Sequence, residues 1–325
     1  MPETTIREAL NRGLREALEA DPNVFIMGED IGMYGGAYAV TAGLLDDFGP
    51  ERVRDTPISE ATFVGAGVGA AAGGLRPIVE LMSMSFSLVA ADQIVNMAAK
   101  IRYMSGGQIK VPMVIRAPTG AGSQLAATHS QQFENWWASA PGLKVVAPAN
   151  PYDALGLLRS AIADDNAVIM AEHSHLYGVR GEVPDDHYTV PIGEAVIRQE
   201  GDDITLLGLA HGTTIVSQAA QKLTERGLSV EVIDLRTLRP LDMDTVTESV
   251  NKTGRVCLVD ENWRTGGLMA EVAAEIAYRC ADYLDGPVAR VAGKDTPAPY
   301  SRDLEQSMLP NADQVVEEVE KSYGI

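Results

Sequence analysis

The chain has 325 residues, 46% of them hydrophobic and 22% charged, which is the composition of a globular protein long enough for two domains. Its formal net charge of −19 argues against nucleic acid and against anionic membrane as partners. The start, MPETTIREAL, has no apolar signal core, and the longest apolar run, 63–75, is too short and too rich in glycine to span a bilayer, so we expect a cytoplasmic protein.

The chain begins with a predicted helix and strand that lead into a glycine-rich loop. Apolar residues at helical spacing predict an amphipathic helix over 4–20, and a short strand follows at 24–27. The loop reads GEDIGMYGGAYAV and carries Glu29 and Asp30. Ligands tend to bind in such loops at strand ends of α/β proteins, but two acids beside the glycines argue against a direct phosphate contact.

The next stretch, DTPISEATFVGAGVGAAAGG at 55–74, predicts a buried helix with a single carboxylate, Glu60, at its N-terminal end. Pro57 and Ser59 precede Glu60, as is typical of a helix start. Each glycine costs a helix about 0.5–1 kcal/mol relative to alanine, so something should pack close to this backbone. A buried carboxyl must be paired or protonated, which suits a hydrogen bond to a ring nitrogen. The alternative is that Glu60 only stabilises the helix dipole.

The glycines also fit a dinucleotide fingerprint in a poor context. Residues 65–70, GAGVGA, satisfy G-x-G-x-x-[GA], but the fingerprint needs a preceding strand and glycines in the turn. Here the glycines lie inside the predicted helix. A nucleotide-dependent oxidoreductase therefore remains only an alternative hypothesis.

Two further candidates follow in the first half of the chain. A strand is predicted at 77–81 and a helix from Ser87 to about residue 104, with Phe86 just before that helix. The Phe86 ring could be a stacking surface or simply part of the core. After a strand at 112–116, the long loop APTGAGSQLAATHSQQ carries His129 near its end. Long loops in α/β domains tend to be functional, so His129 is either a general acid or base or a surface residue.

A turn and a linker complete this half. A strand at 143–147, a helix at 151–163 and a strand at 167–172 surround the turn at 164–166, which could bind a cation or be an ordinary Asx turn. His173 and His175 form a pair without an evident third metal ligand. The polar segment 177–191 predicts a linker, and we place the domains at 1–185 and 186–325.

The second half repeats the alternation of strands and helices. Strands are predicted at 204–209, 229–234, 255–261 and 288–291, and helices at 213–226, 242–253, 267–283 and 311–323. The strands are continuous apolar runs, as in parallel sheets covered on both faces. Cys257 and Cys280 have no metal or redox spacing. We predict an α/β protein whose two domains are each a largely parallel sheet covered by helices.

Long motifs resemble the beta subunits of thiamine-diphosphate-dependent 2-oxo acid dehydrogenases of the pyruvate dehydrogenase type, which are transketolase-like. The resemblance rests on DTPISEATFVGAGVGAAAGGLRPIVELMSMSFSLVAADQIVNMAAKIRYMSGG, MGEDIG, THSQQFENWWASAPGLKVVAPANPYDALGLLRSAI and VIDLRTLRPLD. It implies a pyrimidine-binding domain followed by a transketolase-type C-terminal domain. It also implies that Glu60 hydrogen-bonds the aminopyrimidine ring of thiamine diphosphate, Phe86 packs on that ring, Ile58 lines the pocket and His129 serves acyl transfer to lipoyl.

The resemblance further implies a possible potassium site made of backbone carbonyls and one amide. The matching positions are Met113, Ala161, Ile162, Asp164 and Asn166. Some relatives carry a glutamine near the cofactor at the position of Val89, and this chain lacks that side chain.

The diphosphate half of the site should belong to another chain. Thiamine enzymes bind the diphosphate and its Mg²⁺ with a GDG motif and a later asparagine, and this sequence contains no GDG. We therefore expect an alpha subunit to hold Mg²⁺ in an α2β2 heterotetramer that serves a lipoyl acyltransferase core. Pyruvate is the expected substrate, with branched-chain 2-oxo acids or acetoin as alternatives. A non-catalytic assembly subunit is the remaining alternative.

Overall fold

Helices and strands alternate along nearly the whole chain in a computed structural model that describes residues 3–325. The chain divides into two units. The first contains the described residues up to Thr119 together with Gln132–Ile192, and the second contains Gly120–Gln131 together with Gly193–Ile325. The segment that carries His129 therefore belongs to the second unit, although it lies within the first half of the sequence.

The first unit is built on a parallel sheet. Its strands are β1 (Glu3–Thr5), β2 (Val24–Gly28), β3 (Val53–Asp55), β4 (Arg76–Glu80), β5 (Val114–Thr119), β6 (Lys144–Val146), β7 (Val168–His173) and β8 (Arg180–Glu182). Six of them pair in parallel in the order β6-β7-β5-β4-β2-β3, while β1 and β8 pair antiparallel. This arrangement explains the continuous apolar strands, since both faces of the sheet are buried.

The helices of the first unit are α1 (Ile6–Ala20), α2 (Leu44–Phe48), α3 (Glu60–Ala72), α4 (Ile101–Met104), α5 (Glu134–Ala138) and α6 (Pro151–Ala163). A capping box starts α1: Thr5 Oγ1 accepts from the Glu8 backbone N–H, and the Glu8 carboxylate accepts from the Thr5 N–H at 2.7 Å. Helix α1 therefore begins two residues later than the periodicity alone predicts. Leu10 and Leu14 of α1 are fully buried with Leu157 and Leu158 of α6.

The predicted helix from Ser87 to about residue 104 is wrong, because this segment is broken into three short pieces. A 3-10 helix spans Met84–Ala90, a π-helix spans Gln93–Ala98, and α4 follows. Tertiary contacts constrain the segment: Trp137 Nε1 donates to Ser87 Oγ at 3.0 Å. The backbone of Gly142 also lies so close to Ala99 that a Cβ on Gly142 would be 1.9 Å from the Ala99 carbonyl oxygen. These packing contacts override the helical propensity of the local sequence. π-Helices such as Gln93–Ala98 are frequent near functional sites.

The first unit extends to Ile192 because the preceding segment packs on α6. The Val190 N–H donates to the Gly156 carbonyl, Ser160 Oγ donates to the Val190 carbonyl at 2.6 Å, and Arg159 donates to the Tyr188 carbonyl at 2.8 Å. These hydrogen bonds attach the end of the predicted linker, 177–191, to helix α6 of the first unit.

The second unit contains a five-stranded sheet in the order β14-β13-β10-β11-β9. The strands of the unit are β9 (Val196–Gln199), β10 (Ile204–Gly208), β11 (Val230–Asp234), β12 (Thr237–Arg239), β13 (Val256–Trp263) and β14 (Ala289–Gly293). Only β9 runs antiparallel to its neighbour in this sheet. The helices are α7 (His211–Glu225), α8 (Met243–Thr253), α9 (Leu268–Arg279), α10 (Arg302–Met308) and α11 (Ala312–Tyr323). The sequence does not predict α10.

Both cysteines, Cys257 and Cys280, are buried free thiols. Among the described residues, no helix combines the length and the apolar character that crossing a membrane would require.

Candidate functional site

Glu60 is the first residue of α3 and is 5% exposed. Ser59 precedes it but makes no capping bond to the helix backbone; its hydroxyl donates instead to Thr62 Oγ1 at 2.7 Å. The close approach predicted for this helix occurs at Gly67, where a Cβ would be 2.8 Å from Val79 Cγ2 of β4. The glycine therefore lets α3 lie directly on the sheet, with a buried carboxyl at its N-terminal end. The fingerprint glycines are interior to α3, so the dinucleotide alternative lacks its required turn.

Glu29 is a second buried acid beside Glu60. It follows β2 directly and is 4% exposed. Burial, the negative charge of Glu60 and that of Asp30 raise the pKa of Glu29 to about 7, against one backbone hydrogen bond from Met82. Glu29 Oε1 accepts no hydrogen bond from any residue that the structure describes. The end of β2 and the start of α3 thus form an acidic pair with one oxygen available to a ligand.

The two apolar candidates differ in their environment. Phe86 lies in the 3-10 helix Met84–Ala90 and is half-buried, whereas Ile58 is 81% exposed. Other large apolar side chains of the first unit are also exposed: Met33 (92%), Tyr34 (76%) and Val89 (58%). Asp55 accepts from the Gly32 N–H at 2.6 Å, which fixes the glycine-rich loop to the end of β3, three residues before Ile58.

A buried ion cluster lies against the glycine-rich loop. Arg116 of β5 binds Glu172 of β7 through two hydrogen bonds, at 2.8 Å from Nε and 2.5 Å from a terminal nitrogen, and also pairs with Glu80 of β4. The Tyr177 hydroxyl donates to Glu172 at 2.8 Å. All four side chains are buried, and a Cβ on Gly36 of the loop would be 2.8 Å from Glu80 Oε1. Burial raises the pKa of Glu80 to about 7, opposed by Arg116 and reinforced by Glu172.

His129 is exposed and lies in the segment Gly120–Gln131 of the second unit. Its Nδ1 is 3.0 Å from Thr128 Oγ1, and its N–H donates to the Ala126 carbonyl at 3.3 Å. Gln124 (φ 56) and Ala126 (φ 64) adopt the left-handed region, which costs non-glycine residues free energy. The following helix, α5, begins at Glu134.

The oxygens of the predicted potassium site lie in the first unit and already accept hydrogen bonds. The Met113 carbonyl accepts a hydrogen bond from the Val168 N–H, and the Ala161 carbonyl accepts one from the Asp164 N–H. The Arg76 guanidinium donates to the carbonyls of Ile162 (2.8 Å) and Asp164 (3.4 Å). A carbonyl has a second lone pair that a cation could use. The amide oxygen of Asn166 accepts from the Arg102 guanidinium at 2.8 Å, so a cation would compete with Arg102 for that oxygen.

Family comparisons cover most of the chain. The family model for the transketolase pyrimidine-binding domain matches residues 3–179, and that for the transketolase C-terminal domain matches residues 193–315. A solved structure described as a split-gene transketolase, inactive beta4 tetramer, superposes with a TM-score of 0.78 at 23% identity and covers 98% of each chain. The predicted fold class is confirmed.

Relatives are similar over nearly the full length. The Arabidopsis thaliana pyruvate dehydrogenase E1 component subunit beta-1, mitochondrial, is 48% identical over 97% of this chain and 88% of its own. The corresponding subunit beta of Rhizobium meliloti is 49% identical over 98% of this chain and 70% of its own. That of Rickettsia bellii is 47% identical over 98% of both chains.

Proposed function

The chain belongs to the family of pyruvate dehydrogenase E1 beta subunits, and from that premise we propose that it forms the pyrimidine half of a thiamine diphosphate site. The enzyme would decarboxylate pyruvate oxidatively and transfer the acyl group to lipoyl. The observation that carries this proposal is the buried carboxyl of Glu60 beside Glu29, whose pKa is about 7 and whose Oε1 is without a partner among the described residues.

The acidic pair fits a heterocycle that must exchange a proton. Burial and the negative charge of Glu60 raise the pKa of Glu29 to about 7, so a proton can be held beside Glu60 near neutral pH. In our proposal Glu60 hydrogen-bonds a nitrogen of the aminopyrimidine ring and holds a proton there, while Phe86 packs on the ring. When bound, the cofactor supplies a thiazolium ring that accepts the electron pair released by decarboxylation.

The cofactor's diphosphate and Mg²⁺ are assigned to an alpha subunit in an α2β2 heterotetramer. Support comes from the large apolar side chains left exposed around the candidate site: Ile58, Met33, Tyr34 and Val89. A partner that covers them would bury apolar surface and exclude water from the acidic pair. The lipoyl acyltransferase core is the proposed second partner, contacted near Ile325. We also propose a cytoplasmic location, although the Arabidopsis thaliana relative is named as a mitochondrial subunit.

Substrate choice can be tested directly on the assembled enzyme. We expect the chain to co-purify with an alpha subunit and to oxidise pyruvate in preference to 3-methyl-2-oxobutanoate and acetoin, in the presence of thiamine diphosphate and Mg²⁺. Preference for either competitor would reassign the substrate. Oxidation of an alcohol with NAD and without thiamine diphosphate would instead support the nucleotide-dependent alternative.

For His129→Ala we expect transfer to a lipoyl domain to fall about 10²–10⁴-fold, the range typical of a lost acid–base group. Decarboxylation measured with an artificial electron acceptor should fall much less, because it does not require a proton to be delivered during acyl transfer. Thr128→Ala, which alters the side chain beside His129 Nδ1, is the matched control and should retain most transfer. Equal losses in both assays of His129→Ala would contradict the proposed role.

A potassium ion at Met113, Ala161, Ile162, Asp164 and Asn166 is proposed to bind weakly, because Arg102 competes for the Asn166 oxygen. Replacing Arg102 by leucine should therefore enlarge the rise in melting temperature when KCl replaces NaCl. Tyr103→Ala changes an exposed neighbour and should not enlarge it. The same response to both salts in wild type and in Arg102→Leu would rule out a potassium site here.

A further inference from the structure

The segment Gly120–Gln131, which carries His129, has a backbone that does not hold its shape by local preference. Gly120 (φ 93) and Gly122 (φ 102) accept positive φ readily, but Gln124 and Ala126 do not. Non-glycine residues in this region cost of the order of 1–3 kcal/mol each and persist only when their surroundings fix them. Something outside the segment must therefore stabilise it.

Glu305, which lies outside this segment, stabilises its backbone. It lies on α10 and is 0% exposed, within a helix whose flanking residues Leu304 and Gln306 are exposed. One carboxylate oxygen accepts from the Gly122 N–H and the other from the Gln124 N–H, both at 2.9 Å. Hydrogen bonds from backbone N–H groups to a carboxylate are stronger than neutral ones, and both oxygens are used.

Apolar packing reinforces the same contact. Ala121, which lies between Gly120 and Gly122, is buried in a cluster with Ala298, Met308 and Leu309. Met308 is the last residue of α10, so the helix that carries Glu305 also covers the start of the segment. A buried carboxylate is costly unless its oxygens are satisfied, so its two amide partners account for its burial.

We propose that Glu305 is a positioning residue: its carboxylate fixes the backbone at Gly122 and Gln124 and thereby holds His129 in place for acyl transfer to lipoyl. This rests on the proposed role of His129. Few residues separate the backbone that Glu305 binds from His129. Ala126 lies two residues after Gln124, and its carbonyl accepts a hydrogen bond from the His129 N–H. Glu305 itself touches no reacting atom in this proposal.

The direct test is hydrogen–deuterium exchange of residues 120–131 in the assembled heterotetramer. Glu305→Gln keeps the shape of the side chain but replaces one acceptor oxygen by an NH2 group, which cannot accept from an amide. We expect exchange at Gly122 or Gln124 to accelerate ~10- to 100-fold, as for the loss of a hydrogen bond to a charged group. Asp303→Asn, on an exposed position of the same helix, is the matched control and should leave the exchange unchanged.

The functional test compares the transfer and acceptor assays. In Glu305→Gln, transfer to a lipoyl domain should fall about tenfold and more than artificial-acceptor activity, with Glu305→Asp, which keeps the charge, recovering part of the loss. Unchanged hydrogen–deuterium exchange in Glu305→Gln would show that the Glu305 carboxylate does not fix the backbone at Gly122 and Gln124. Faster exchange with normal transfer, when His129→Ala is impaired, would overturn the positioning role alone.

Two remaining outcomes are also decisive. Normal transfer in His129→Ala would show that the role of His129 itself is wrong, and the positioning proposal would fall with it. If Glu305→Gln does not assemble, exchange is measured in Glu305→Asp, whose shorter side chain should still weaken one of the two bonds. Exchange equal to wild type in that variant would refute the proposal.

Discussion

Replacing Glu60 by glutamine is expected to slow proton exchange at C2 of bound thiamine diphosphate by about 10²–10⁴-fold, while the heterotetramer stays assembled. Glutamine has nearly the same shape as glutamate, so the N-terminal end of α3 should keep its packing. It has no carboxyl group, however, and cannot take up and return a proton at the aminopyrimidine ring. Deuterium exchange of the bound cofactor, followed by NMR after acid quench, measures this step directly.

The control for Glu60→Gln is a glutamate of the same unit that is exposed and distant in sequence from the site. Glu19→Gln, near the end of α1, should leave both exchange and assembly unchanged. If Glu60→Gln showed wild-type exchange and wild-type turnover in the assembled complex, the chain would have no part in cofactor activation. It would then be an assembly subunit, which is the non-catalytic alternative.

Arg116→Met should lower the free energy of unfolding by about 3–5 kcal/mol, because it removes the only positive charge that the described structure places between Glu80 and Glu172. The methionine fills much of the same volume, so the loss reports mainly the uncompensated carboxylates. Equilibrium denaturation of the assembled enzyme is the measurement. Arg279→Met, which breaks a half-exposed pair with Glu275, is the control and should lower the free energy of unfolding much less.

The same variant should show a characteristic pH dependence. The folded pKa of Glu80, about 7, lies above its unfolded value of 4.5, so its contribution to stability is complete below pH 4.5 and is lost as the pH rises through about 7. Arg116 lowers the pKa of Glu80, so in the variant Glu80 keeps its proton to a higher pH than in wild type. As the pH rises through about 7, only wild type gains the interaction between an ionised Glu80 and Arg116. The loss in Arg116→Met should therefore be larger at pH 8, and an equal loss at both values would contradict the assigned protonation.

Local patterns predict the helices and strands well where the chain's own preferences agree with its packing. Helices α1 (Ile6–Ala20) and α3 (Glu60–Ala72) lie within the stretches 4–20 and 55–74 for which they are predicted, and the burial of Glu60 follows from its apolar surroundings. The prediction of one continuous helix from Ser87 onward is wrong because the segment contacts Trp137 and Gly142, which lie in a distant part of the sequence. No periodicity of the local sequence contains that information.

The site residues show the same limit. Glu29 could be noticed only as an acid after a strand, since its raised pKa depends on the fold bringing Glu60 close. Glu305 lies in SRDLEQSM, which has the polar composition of a surface turn, and only the packing of α10 reveals that it is buried. Acids whose partners are backbone amides leave no pairing signal in the sequence, because every residue except proline offers the same N–H group.

The assignment of Gly120–Gln131 to the second unit has a practical consequence for anyone who wishes to cut this protein in two. A fragment that stops at Ile192 would include the segment but discard α10 and the small apolar cluster that cover it. Gln124 and Ala126 would then leave their left-handed backbone conformation, and the segment Gly120–Gln131 would become flexible and sensitive to proteases. Because the second unit is drawn from two separate stretches of the sequence, a single cut cannot divide the chain into its two units.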